Sequence, residues 1–173
     1  PTTARLRPVG GSEGVALHLP ARLGFGGDHL AGVSEERLRH ALRQLVDGIQ
    51  ALHDLGALHR DVKPTNVLVT AEGRLVLLDL GLVTWMGPAE ASVERYVAGT
   101  AAYMSPEQGA AGALGPPSDW YSVGVMLYEA MTGSRPFRGS FEQIVSAKQL
   151  RVAPRPSTIV SGLPEDLEQL CVD

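Results

Sequence analysis

Cysteine is almost missing from this sequence, with Cys171 its one thiol among 173 residues. No internal disulfide can form, so the fold must rest on packing, and a reducing, cytoplasmic setting is expected. Lysine is nearly as scarce: Lys63 and Lys148 stand beside thirteen arginines. The arginines are scattered along the chain and the net charge is −4, which leaves no basic footprint for a nucleic acid. No apolar run reaches the roughly 18 residues of a membrane-spanning helix, and the start lacks the charged end and apolar stretch of a signal peptide. The chain is expected to be soluble, with no nucleic-acid partner and no membrane segment of its own.

What is present suffices for one folded domain: 44% of the residues are apolar and 20% charged. From Pro1 to Gly32 glycines and prolines recur without a sustained apolar period, so residues 1–33 read as a loop-rich stretch. Ser34 then stands as an N-cap before Leu38, Ala41, Leu42, Leu45, Val46, Ile49 and Leu52, whose three-and-four spacing predicts a long amphipathic helix closed by Gly56. Asn66 to Thr70 and Arg74 to Leu78 are two β-rich runs joined by Ala71-Glu72-Gly73, the pattern of a hairpin. Residues 79–107 show no clear period, and so long a segment in a compact domain is usually functional. Ser118 to Met131 is apolar on most sides, which predicts a buried central helix ended by Thr132-Gly133. Ser140 caps a further helix through Leu150, and Pro164 begins a last one.

The densest chemistry lies in His59-Arg60-Asp61-Val62-Lys63-Pro64-Thr65-Asn66, followed eighteen residues after Asp61 by Asp79-Leu80-Gly81. Each residue has an ordinary structural reading: Asp61 as a turn former, Lys63 as a solvated charge, Asn66 as a strand cap, Asp79 as a turn after a strand. Six fixed positions in eight are far more specific than a lone glycine motif, and together they resemble the catalytic loop and metal-binding motif of protein kinases. A second stretch, Gly99-Thr100-Ala101-Ala102-Tyr103-Met104-Ser105-Pro106-Glu107, is similar to the end of a kinase activation segment, with Ser105 where alanine is usual. Asp119-Trp120-Tyr121-Ser122-Val123-Gly124 is similar to the start of the family's central helix.

That resemblance implies an α+β, mostly helical fold, the carboxy-terminal lobe of a serine/threonine protein kinase, spanning residues 34–173 and including a small hairpin at its catalytic edge. Residues 1–33 would be a remnant of the region that connects the two lobes. The implied cofactors are ATP and Mg²⁺, and the implied partners are protein substrates. Phosphoryl transfer needs positioning and charge neutralisation more than covalent help. By resemblance Asp61 orients the acceptor hydroxyl and Lys63 sits on the γ-phosphate, while Asn66 and Asp79 supply the oxygen ligands that Mg²⁺ prefers. Leu68, an inward strand residue by sequence alone, would lie beneath the adenine. His59 and Leu80 would join an apolar column between lobes, with Gly81 completing the metal motif. Thr100 would hydrogen-bond towards Asp61 and Lys63, and Asp119 would hold the backbone of the catalytic loop. Arg60 would bind a phosphate on the activation segment, where Thr84, Ser92, Tyr96 and Thr100 are the hydroxyls in range; Thr100 reads as structural, which leaves Thr84 and Ser92 as the favoured acceptors. Glu107 would be structural, and its usual arginine lies beyond the end of this chain, so a buried, unpaired and destabilising carboxylate is expected there.

The other half of a kinase site is not legible. No lysine precedes Lys63, and Gly24-Phe25-Gly26-Gly27-Asp28-His29 only begins a glycine-rich phosphate loop, with His29 at the third glycine position. The chain begins at Pro1 rather than Met and stops inside an apolar helical pattern, so a piece of a longer kinase, lacking its amino-terminal lobe, is expected. Arginine-for-lysine bias with much alanine and glycine points to a GC-rich, bacterial genome. A catalytically inert lobe that binds partners is the alternative, and a small-molecule phosphotransferase a third reading, against which the Gly99–Glu107 segment speaks.

Overall fold

The computed structural model describes residues 34–79, 84–85 and 98–172, with residues 84, 85, 98 and 99 described by their backbone alone. The expected loop-rich stretch 1–33, and Leu80, Gly81, Ser92 and Tyr96, lie outside the described residues. Helix α1 runs over Glu35–Asp54. Ser34 caps it, its hydroxyl accepting from the Arg37 amide, and Glu35 and Glu36 complement the helix dipole. The apolar stripe turns Leu45, Ile49 and His53 inward. Leu55 closes the helix rather than Gly56, which follows at φ +77° and donates to the His53 carbonyl at 2.8 Å.

Strand β1 (Ala57–Leu58) pairs antiparallel with β4 (Thr84–Trp85). Strands β2 (Val67–Val69) and β3 (Leu75–Leu77) form the expected hairpin, with Val67 opposite Leu77 and Val69 opposite Leu75. Gly73 takes φ +85° in its turn. Gln44 of α1 secures this hairpin from the side, donating to the Gly73 carbonyl at 2.8 Å and accepting from the Leu75 amide at 3.0 Å.

The segment expected to be irregular holds two short helices, α2 (Ala98–Ala101) and α3 (Pro106–Gly109). Four residues are too few for a helical period to show in sequence, but Ser105, Pro106 and Gln108 are a capping box with proline at the first helical position. The central helix α4 covers Pro116–Thr132, two residues more at its start than the apolar pattern indicated, because Pro116 and Pro117 suit a first turn. Gly133 ends it in the left-handed conformation. Helices α5 (Phe141–Leu150, capped by Ser140) and α6 (Glu165–Gln169, after Pro164) complete the order.

Helix α4 lies at the centre because ten of its side chains are buried. Its Val123 and Met126 pack with Leu45 and Ile49 of α1, Val62 and Val67. Its Leu127 and Met131 meet Leu167 of α6, with Leu38 and Leu42 alongside. A third cluster joins Ala101, Met104, Phe137 and Ile144 and holds α5 against α2. No described helix is long and apolar enough to cross a membrane.

Ile49 is fully buried at the junction of α1, α4 and the hairpin. Replacing it with alanine is expected to destabilise the chain by about 2–5 kcal/mol, read as a lower urea midpoint at unchanged slope. A milder test concerns α6, which Arg39 tethers by pairing with both Glu35 and Asp166. The hydrogen bond from Arg39 holds the Asp166 carboxyl at about 2 against an ordinary 3.8. A carboxyl depressed in the folded state stabilises fully above pH 3.8, and that contribution disappears as pH falls towards about 2. Asp166 is exposed and Arg39 only half-buried, so the effect is small. The midpoints of the native chain and Asp166→Asn should separate above pH 3.8 and merge near pH 2; a gap that persists in acid would contradict this.

Candidate active site

The loop after β1 is held from below by a buried carboxylate. Asp119, 1% exposed in the first turn of α4, accepts from the His59 amide at 2.9 Å and the Arg60 amide at 2.7 Å. His53 of α1 also meets it, Nε2 to Oδ2 at 2.9 Å, with its ring edge-on to Trp120. Arg60 takes φ +67°, a conformation that strains a residue with a β-carbon. Both of its backbone groups are tied: the amide to Asp119, and the carbonyl to Gln108 Nε2 of α3 at 2.8 Å. Three elements thus impose one loop conformation, and its product is the aim of the next residue, Asp61.

Asp61 is 7% exposed, and its carboxylate meets the Lys63 ammonium at 2.7 Å. Asn66 Nδ2 donates to the same carboxylate at 2.9 Å and to the Asp61 carbonyl at 2.8 Å. The one-turn 3-10 helix Pro64–Asn66 makes this reach short, and Asn66 leads directly into β2. Lys63 Nζ also donates to Thr100 Oγ1 of α2 at 3.2 Å. The structure therefore brings Asp61, Lys63, Asn66 and Thr100 into one connected cluster.

Asp79 lies just past the far strand of the hairpin. The Leu78 amide donates to the Asn66 carbonyl at 2.8 Å, so Asp79 follows one residue after the point where the two strands meet Asn66. It is exposed and takes φ +55°. Since both Asn66 amide hydrogens are engaged by Asp61, its Oδ1 is the atom left to ligate a cation, at the same end of the hairpin as Asp79. Two oxygen donors with no sulfur or imidazole suit a hard ion such as Mg²⁺. Among the described residues no three His, Cys, Asp or Glu gather as a metal cage, so further ligands of such an ion would come from phosphate or water.

Two expectations change. Leu68 is not the inward residue of β2: Val67 is the buried one, and Leu68, opposite Val76, faces the other side and is half-buried. Alternation along a strand forces this once Val67 enters the core. Glu107 is not a buried orphan either. It is half-buried and accepts from the Ser118 hydroxyl at 2.6 Å. Burial pushes its carboxyl up, but hydrogen bonds from Ser118, its own amide and Ser105 outweigh that and hold it below the usual range. No lysine or arginine pairs with it among the described residues.

His59 is fully buried, and its Nδ1 accepts from the Asp61 amide at 3.4 Å. His53 and Gln108 were not singled out in the sequence. His53 continues the Leu45–Ile49 stripe by one turn, so a polar side chain at a core position was the available signal. Tyr103 is a further case: its hydroxyl donates to Glu129, and burial together with that bond raises the phenol well above its ordinary value.

Comparison with known proteins gives this geometry a family. The protein kinase domain matches residues 26–170. The chain belongs to the protein kinase family. It is 41% identical over 130 residues to the serine/threonine-protein kinase PknL of Mycobacterium tuberculosis, covering 75% of this chain and 33% of that protein. Over 136 residues it is 40% identical to PknA of the same organism, covering 77% of this chain and 31% of PknA. The twitchin kinase region of C. elegans shares the fold, with a TM-score of 0.69 at 27% identity over 79% of this chain and 24% of that one. The chain spans about a third of the bacterial kinases it matches. The mostly helical architecture with its small hairpin is thus a protein kinase lobe, and its relatives are bacterial serine/threonine kinases.

The loop's dependence on Asp119 is testable. Asp119→Ala removes the acceptor of the His59 and Arg60 amides and the partner of His53, and should destabilise the chain by about 3–5 kcal/mol while speeding amide exchange at His59 and Arg60. Asp119→Asn, which keeps one acceptor oxygen, should lose less. Equal stability of the two variants would refute the assignment.

Proposed function

We propose that the protein carrying this chain is a serine/threonine protein kinase that transfers the γ-phosphate of ATP to protein hydroxyls. The observation that carries this is the single ammonium of Lys63, which bridges the Asp61 carboxylate at 2.7 Å and the Thr100 hydroxyl at 3.2 Å. It brings residues from two separate kinase-like motifs together where a substrate hydroxyl would enter. Asp61, aimed by Asn66, accepts or orients the proton of that hydroxyl. Lys63 presents positive charge to the transferring group, and Thr100 fixes the substrate-receiving segment beside it. Asn66 Oδ1 and Asp79 would hold Mg²⁺, and Leu68, on the hairpin face away from the core, would lie beneath the adenine. Bound ATP with Mg²⁺ supplies the phosphoryl group and neutralises its developing charge. Lys63 within D-x-K-P-x-N, together with Thr100, favours serine or threonine as the acceptor.

The remaining roles follow the same reading. Arg60 would bind a phosphate on the activation segment, Thr84 or Ser92 being the candidates; His59, with Leu80, would join the inter-lobe column, and Gly81 would complete the metal motif. Residues 34–173 form the carboxy-terminal lobe, 1–33 belong to the lobe connection, and the glycine-rich strands with their lysine come from an amino-terminal lobe of the same parent, since no lysine precedes Lys63. A reducing, cytoplasmic setting suits the single cysteine.

The test is transfer of labelled γ-phosphate from ATP to a mixture of proteins. The parent should label serine and threonine, and Asp61→Ala should reduce the rate by about 100- to 10,000-fold without unfolding the protein. An inert parent would replace the enzyme with a partner-binding lobe.

A further inference from the structure

Helix α5 carries a lysine where its apolar phase calls for a hydrophobic residue. Ile144 and Lys148, one turn apart, are its buried side chains, on the face turned to α2 and α3. Lys148 is 7% exposed. Its Nζ donates to the carbonyls of Ala101 at 2.9 Å, Ala102 at 2.7 Å and Met104 at 2.5 Å, and stands 5.0 Å from the centre of the Tyr121 ring. No carboxylate lies within ion-pair distance among the described residues.

An ammonium taken out of water in this way costs several kcal/mol unless its protons are satisfied. Burial draws its pKa down to about 7, while three carbonyls accepting from the charged form act the other way. Three acceptors match the three donors of an ammonium, whereas a neutral amine has two. A methionine would fill the same space without the desolvation penalty, so packing alone does not account for the charge. What the charge holds is the turn beneath Thr100: the Tyr103 and Met104 amides both donate to the Thr100 carbonyl, at 3.0 and 3.3 Å. Each carbonyl in the clamp thus lies within four residues of the hydroxyl that receives Lys63.

We propose that Lys148 is a positioning residue for phosphoryl transfer, its ammonium gathering three carbonyls of the 101–104 turn and so seating the Thr100 hydroxyl on Lys63. This rests on the kinase reading, and it assigns the second lysine of the chain to the support of the first.

Because Lys63 and Lys148 are the only lysines in the sequence, a chain labelled at lysine gives two side-chain NMR signals. In the native chain the Lys148 ammonium protons should exchange slowly with water and show contacts to the Tyr121 ring. Lys148→Met should shift the Lys63 signal and speed exchange of the Tyr103 and Met104 amides about tenfold or more, leaving the α4 amides of Val125 to Tyr128 unchanged. An unmoved Lys63 signal with unchanged exchange overturns the proposal. Should α4 also lose protection, the variant has loosened globally and the native chain decides: a fast-exchanging Lys148 ammonium without Tyr121 contacts overturns the proposal, and a slow one with them supports it. None of these signals requires ATP. Coupled lysines in an inert parent would therefore defeat the proposed function and leave the clamp standing, and uncoupled lysines in an active parent would do the reverse.

Discussion

The carboxylate of Asp119 is removed from water, and the protein must satisfy it. It does so with two consecutive backbone amides and an imidazole, drawn from the loop after β1 and from the end of α1. A charge-assisted acceptor of this kind can hold backbone in a conformation that it would not otherwise keep, and Arg60 at φ +67° is in such a conformation. The geometry of Asp61 follows from that restraint, and the reach of Lys63 and Asn66 follows from Asp61. Helix α4 can act as the foundation because ten of its side chains, Asp119 among them, are buried.

Polar satisfaction is the common device around the loop. Gln108 uses both ends of one side chain, Oε1 capping α3 through the Ser105 amide and Nε2 restraining the Arg60 carbonyl. Ser118 caps α4 through the Gly115 amide and donates to Glu107. These bonds individually contribute about 1 kcal/mol, yet each removes a freedom of the loop that carries Asp61 or of the helices around it. Precision at the cluster comes from many modest restraints on a rigid helix.

Two cations serve this arrangement differently. Lys63 is partly exposed and paired with a carboxylate. Lys148 is buried among carbonyl dipoles and meets no anion among the described residues. The first suits chemistry in which charge develops; the second suits holding a shape.

Residue order alone determined the longer elements and the kinase family resemblance. Periodic apolar spacing with caps located α1, α4 and α5 within a residue or two, since amphipathic helices and their capping residues are local in sequence. That Asp61, Lys63 and Asn66 meet was legible because they lie within six residues of one loop, and Asp79 follows at the end of the hairpin that Asn66 begins. Tertiary structure decided what depends on distant partners. The face that Leu68 takes was settled by Val67 entering the core, and the state of Glu107 by Ser118, eleven residues away. His53 and Lys148 read as ordinary helix residues until α4 and the 101–104 turn are packed against them, because a buried polar side chain takes its role from the groups that satisfy it, and those groups lie far along the chain.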